Sequence, residues 1–178
     1  WGDINIKVDR NSCGQFDLKI RIPGWLKSRP LPGELYSYSD NKRLGYSIKV
    51  NGVEAEGTVT EDGYFTIPRK WKKGDEVTIH FDMEPRTVRA SEKVEADRGM
   101  VSIERGPIVY CAEWPDNKFD IKSVLINQNP EFTLEQRSLD AFIPEASKAK
   151  LNTYKTQNIT TLTTDAQTLA FDKQGKLT

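Results

Sequence analysis

The amino-acid sequence predicts an all-β protein of two β-sandwich units, Ig-like or jelly-roll-like, at 1–104 and 105–178, the second smaller and incomplete. Three observations carry that expectation. Phe16, Leu18, Ile20 and Ile22 alternate with polar residues, and Val77, Ile79 and Phe81 alternate with Thr78, His80 and Asp82, the two-residue period of half-buried strands. Asn51-Gly52 and Asp62-Gly63 stand before apolar residues as turns, because Asn, Asp and Gly tolerate positive φ. Beyond Trp114 the alternation weakens, and from Asn152 the chain is rich in Thr, Gln and Asn.

Taken in order, Ile4, Ile6 and Val8 alternate as a first strand, and Asn11-Ser12-Cys13-Gly14 is a turn cluster. The clean strand from Phe16 to Ile22 ends at Pro23-Gly24, with Trp25 packed over the sheet edge. Residues 27–45 read as one long loop holding Tyr36, Tyr38 and Asp40. Ile48 and Val50 run into the Asn51-Gly52 hairpin. Tyr64, Phe65 and Ile67 form a strand closed by Pro68, and Trp71 anchors the polar turn before Val77. Met83-Glu84-Pro85 breaks the next ladder, since proline cannot donate to it, and a polar connection follows. Met100 to Glu104 and Ile108 to Cys111 are two strands around a tight turn or bulge at Arg105-Gly106-Pro107. Further on, Ile121 to Ile126 and Phe132 to Leu134 are short strands, Leu139 to Leu151 includes one short helix with Pro144 at its start, and Ile159 to Leu162 and Leu169 to Phe171 are edge strands. The inner faces of the first sandwich are assigned to Phe16, Leu18, Ile20, Ile22, Val77, Ile79, Phe81, Val101 and Ile103.

Composition excludes several functions. Lys+Arg and Asp+Glu both number 26, so the chain lacks the basic excess of a nucleic-acid binder. No apolar run approaches the ~18 residues of a membrane span. The chain opens Trp-Gly-Asp-Ile without an initiator methionine, as a piece of a longer protein would. Cys13 and Cys111 are the only cysteines, too few for a disulfide framework and wrongly spaced for zinc, and are expected as free, mostly buried thiols. The single histidine, His80, sits on the polar side of its strand without a carboxylate, Cys or His partner at zinc spacing. Glu84, Glu92, Glu95 and Asp97 read as a solvated acidic loop. No catalytic, cofactor-binding or metal-binding residue is assigned. Trp25, Tyr36, Tyr38, Tyr64 and Trp71 are the candidate contacts for a carbohydrate or a neighbouring domain, weighed against packing, the commoner role of aromatics.

Four stretches carry a family resemblance: FDLKIRIPGW (Phe16 to Trp25), SIKVNG (Ser47 to Gly52), GYFTIPRKWKKGDEV (Gly63 to Val77) and GMVSIERGPIVYCAE (Gly99 to Glu113). In order and spacing they resemble the carboxy-terminal region of glycoside hydrolase family 127, the β-L-arabinofuranosidase family. The resemblance implies an (α/α)6 catalytic barrel preceding two β-sandwich subdomains. It also implies a cysteine-thiolate nucleophile held on zinc by further cysteines and a glutamate, all in the barrel. Neither Cys13 nor Cys111 sits in the family's adjacent-cysteine motif, so no cofactor is expected in residues 1–178. The function so implied is a non-catalytic module that packs against its own catalytic barrel and stabilises it. Trp1, Trp25, Tyr36, Tyr64 and Trp71 would then form an apolar docking patch. The alternative is a carbohydrate-binding module whose aromatic platform takes a plant-type glycan. An Ig-like protein-interaction domain is a third, weaker fit.

Overall fold

The computed structural model describes residues 2–113, 117, 119–138 and 158–169. The chain is all-β. Among the described residues the helical elements are 3-10 turns of three or four residues, at Gly24–Lys27, Glu95–Asp97 and Ile121–Ser123, and no helix is long and apolar enough to cross a membrane. The expected helix within Leu139 to Leu151 lies outside the described residues. The chain divides into two compact units, 1–110 and 111–178.

In the first unit, β1 (Asp3–Lys7), β4 (Tyr46–Val50), β5 (Val53–Glu54) and β8 (Glu76–Phe81) form an antiparallel sheet in the order β1-β8-β4-β5. A second sheet, in the order β2-β7-β6, is made of β2 (Gln15–Arg21), β6 (Thr58–Val59) and β7 (Tyr64–Lys70). These two sheets are the sandwich. Ile48, Val50, Val77, Ile79 and Phe81 of the first meet Ile20 and Ile67 of the second, with Ile22, Leu26 and Trp71 closing the same core. The alternation of β8 is reproduced residue by residue: Val77, Ile79 and Phe81 are buried, and Glu76, Thr78 and His80 are exposed. The Asn51-Gly52 turn forms as expected, with φ of 53° and 81°. Asn51 is held there because its side chain donates to Asp75 (2.9 Å) and accepts from the Glu76 amide (2.9 Å).

A third sheet runs in the order β11-β10-β9-β3, from β3 (Tyr36–Tyr38), β9 (Pro85–Ala90), β10 (Val101–Arg105) and β11 (Ile108–Tyr110). Two of its members correct the sequence reading. The loop at 27–45 contains β3, which crosses to pair Tyr36 with Ala90 and Tyr38 with Val88. The polar connection after Met83 begins with β9; proline is tolerated as the first residue of a strand. Val101 and Ile103 therefore belong to this sheet and are only half-buried, outside the sandwich core. Phe16 lies at the open end of β2, 39% exposed, with its ring tilted on Trp71 at 5.9 Å. The Arg105-Gly106-Pro107 turn joins β10 to β11, so the hairpin lies whole within the first unit. Gly106 has φ 59°, and a Cβ there would meet the Met83 methyl at 2.6 Å.

The second unit contains two antiparallel ribbons. One pairs β12 (Val124–Ile126) with β15 (Ala166–Thr168), and the other pairs β13 (Thr133–Ser138) with β14 (Asn158–Thr163). The strand expected from Ile121 is shortened, because Asp120 caps a 3-10 turn by accepting from the Lys122 amide.

Candidate functional site

Polar chemistry converges where β3 meets β9. Arg86, the second residue of β9, is only 3% exposed. A buried guanidinium is costly unless its charge and donors are matched, and this one is matched. Its Nη2 donates to Asp40 Oδ1 at 2.5 Å and its Nε to Asp40 Oδ2 at 3.2 Å, a two-pronged pair. Its Nη1 donates to the Trp25 carbonyl at 3.2 Å. The guanidinium carbon lies 3.6 Å from the centre of the Tyr38 ring, a close cation–π contact. Tyr38 in turn donates its hydroxyl to Glu104 on β10, at 3.1 Å. One residue thus ties together the 3-10 turn after β2, the 27–45 segment and the third sheet.

The electrostatics fit a clasp rather than a reactive centre. Burial and the neighbouring Glu104 carboxylate push the Tyr38 phenol far above its ordinary value, so it stays a protonated donor. Partial burial works against ionising Asp40, but hydrogen bonds from Arg86 and the Lys42 amide outweigh it and hold the carboxyl below its usual value. Tyr36 donates to Asp97 at 2.9 Å, and that hydrogen bond raises its phenol. Asp97 is thereby taken from the acidic loop into a specific contact.

A second polar group lies on the outer face of β8. The β1–β8 register puts Asp3 opposite His80. His80 Nδ1 is 2.6 Å from Asp3 Oδ1 and Nε2 is 3.3 Å from Asp82 Oδ1. Asp82 shares the polar face that the alternation assigns to His80, whereas Asp3 lies 77 residues away and is brought there only by the β1–β8 pairing. Asp3 and His80 border a shallow depression of about 370 Å³ lined also by Asn5, Lys49 and Thr78. Among the described residues no group of three or more His, Cys, Asp and Glu could hold a metal ion.

The hydrogen bond with Asp3 raises the His80 pKa above 6.5, with the Asp82 charge acting the same way. A raised histidine pKa favours the folded state at low pH. The contribution is complete below pH 6.5 and is lost as pH rises through the folded value. In a proton NMR titration His80 is expected to show a midpoint above 6.5 that falls in Asp3→Asn. A wild-type midpoint at or below 6.5 would contradict the pairing.

The five candidate aromatics do not form one surface. Trp71 is 3% exposed and Tyr38 8%. Trp71 is held in the core by its Nε1 donating to the Phe16 carbonyl at 3.1 Å. Trp25 is half-buried and edge-on to Phe81 at 6.0 Å. Tyr64 is half-buried with Arg21 over its ring at 5.4 Å, and Tyr36 is half-buried against Asp97. Trp1 lies outside the described residues. The thiols expected as buried are free but exposed: Cys13 in the turn between β1 and β2, and Cys111 just past β11, 3.7 Å from Glu113. Sequence reasoning missed Arg86 and Glu104. The pair Thr87-Val88 was the available β signal at β9, obscured by its charged neighbours.

Comparisons with known proteins agree with this architecture. Residues 1–83 match the model of the β-L-arabinofuranosidase, glycoside hydrolase family 127 middle domain, and residues 85–164 that of the family 127 C-terminal domain. A non-reducing end β-L-arabinofuranosidase of Bifidobacterium longum subsp. longum is 35% identical over 102 residues, 57% of this chain and 13% of that protein. A solved family 127 β-arabinofuranosidase superposes with a TM-score of 0.80 at 48% identity, over 99% of this chain and 25% of its own. A family 127 β-L-arabinofuranosidase from Geobacillus stearothermophilus T6 gives a TM-score of 0.68 at 26% identity, over 96% of this chain and 22% of its own. The chain thus spans a quarter or less of these relatives.

Proposed function

Since the chain belongs to glycoside hydrolase family 127, as its middle and C-terminal β domains, we propose that it packs against and stabilises an (α/α)6 catalytic barrel of a longer β-L-arabinofuranosidase-like enzyme. It shapes the edge of the substrate approach and takes no part in the bond chemistry. The observation that carries this reading is the Arg86 clasp. Its donors are matched by partners inside the chain, and the phenol and carboxylate beside it are held in their resting forms. A clasp of this kind makes a rigid buttress. The zinc and the thiolate chemistry that the family resemblance implies would reside in the barrel.

The test uses the chain and the barrel region produced separately. Mixing is expected to give a one-to-one complex in sedimentation and to raise the melting temperature of the barrel. The chain alone is expected to bind no stoichiometric zinc and to leave an aryl β-L-arabinofuranoside intact. Hydrolysis by the chain alone would sink the non-catalytic assignment. Saturable micromolar binding of an arabinose-containing oligosaccharide, lost in Tyr36→Ala or Tyr64→Ala, would replace it with the carbohydrate-binding reading.

A further inference from the structure

Asn51-Gly52 is the one Asn-Gly pair in the sequence. It forms the loop of the hairpin between β4 and β5, in which Val50 pairs with Val53. The tolerance of positive φ that suits this pair to the turn comes with a chemical weakness, because glycine has no side chain to hinder attack by its nitrogen. The Gly52 nitrogen can attack the Asn51 side-chain carbonyl carbon, forming a new C–N bond and a five-membered ring. The bond from that carbon to Nδ2 breaks, and ammonia leaves with the proton given up by the Gly52 amide. Water then opens the cyclic imide at either carbonyl. One product is aspartate and the other is isoaspartate, which puts an extra carbon into the backbone of the turn.

The fold holds Asn51 away from this reaction. Its backbone amide donates to the Glu76 carbonyl at 2.8 Å, its Nδ2 donates to Asp75 Oδ1 at 2.9 Å, and its Oδ1 accepts from the Glu76 amide at 2.9 Å. Ring closure needs the side-chain carbonyl carbon to swing onto Gly52, which breaks both side-chain bonds. Asp75 gives the reaction no help. It is 8% exposed, and hydrogen bonds from Asn51 and the Lys72 amide hold its carboxyl below its usual value, so it carries no proton for the departing ammonia. After conversion the same geometry turns hostile. An acid at position 51 has no Nδ2 to donate, and its carboxylate faces that of Asp75 at hydrogen-bond distance, where like charges disfavour each other's ionisation. Arg69 is already paired with Asp75, at 3.5 Å. We propose that Asn51 is a fold-gated deamidation site. The closed hairpin shields it, opening of the hairpin exposes it to conversion, and the carboxylate so formed opposes re-closing against Asp75. The turn thus keeps a one-way record of having opened, independent of the packing role proposed above.

The experiment incubates the full chain in mildly alkaline buffer, folded and in urea, beside a peptide of residues 47–56. Mass spectrometry follows the amide-to-acid mass gain at Asn51. In the folded chain Asn51 is expected to convert about thirtyfold more slowly than in urea or in the peptide, the factor for breaking two hydrogen bonds of ordinary strength. Equal rates in the three settings would overturn the proposal. The second half is tested by exchanging the partners, without waiting for conversion. Asn51→Asp is expected to lower the urea midpoint. Adding Asp75→Asn to it is expected to restore the midpoint. Asp75 meets Asn51 through Oδ1 and the Lys72 amide through Oδ2, so an amide at 75 can donate to 51 and still accept from 72. An Asn51→Asp chain as stable as the wild type would overturn the proposal, and so would a double variant no more stable than Asn51→Asp alone. Should Asn51→Asp fail to fold, folding of the double variant supports the confrontation with Asp75, and its failure overturns it.

Discussion

Arg86→Met is expected to destabilise the first unit by about 3 kcal/mol, the lower end of the range for breaking a buried ion pair. The lower end applies because the Asp40 side chain left behind is 32% exposed and can regain water. The loss spreads beyond the pair. The Trp25 carbonyl loses its donor, the Tyr38 ring loses its cation, and the 27–45 segment loses its buried ion pair, keeping the short β3 ladder and the more exposed ties of Tyr36 to Asp97 and Lys42 to Glu84. Denaturant unfolding followed by tryptophan fluorescence measures the cost, and faster amide exchange at Tyr38 and Ser39 localises it. Arg86→Lys should recover little, since an ammonium cannot make the two-pronged contact. The pair also carries a pH signature. Asp40 has a lowered folded pKa, so its contribution is present above 3.8 and is lost as pH falls through the folded value. Asp40→Asn should flatten that part of the acid limb. A cost under about 1 kcal/mol for Arg86→Met would mean that the contacts only decorate a segment held by other means.

Ile79→Ala is expected to cost about 2–5 kcal/mol, the range for truncating a large aliphatic side chain in a packed core. Ile79 is 3% exposed, at the middle of β8, with β1 on one side and β4 on the other. A cavity there has walls on two sheets and little freedom to collapse. The neighbouring Thr78→Ala, on the exposed face, should stay within about 0.5 kcal/mol. Equal effects at the two positions would place the strand in the wrong register, because a one-residue slip exchanges its faces.

β8 could be read from the sequence because one face is buried and the other is wet, so burial writes itself into a two-residue period. The Asn51-Gly52 turn was legible for a local reason, the positive φ that both residues tolerate. β3 was hidden because three residues are too few to display a period. β9 was hidden for a different reason: Arg86, Thr87 and Val88 are buried in succession, so no alternation exists, and one of them is an arginine. The clasp itself joins Arg86 to Asp40 across 46 residues and Tyr38 to Glu104 across 66. Residue types at such separations carry no pattern until the backbone brings them together. Val101 and Ile103 alternate properly, and the error lay in assigning them to the sandwich instead of a third sheet. The five aromatics looked interchangeable in sequence, whereas Trp71 is a core residue and Tyr38 a buried donor.

The crossing of β3 has a bearing on inheritance. The two family domains meet at residue 84, yet a strand from the first completes a sheet of the second. Gene rearrangement at that boundary would leave β9 with a bare edge, and Arg86 without Asp40. Neither domain can be traded alone without losing a sheet edge and half of an ion pair. Residues 1–110, a compact unit, keep these contacts together.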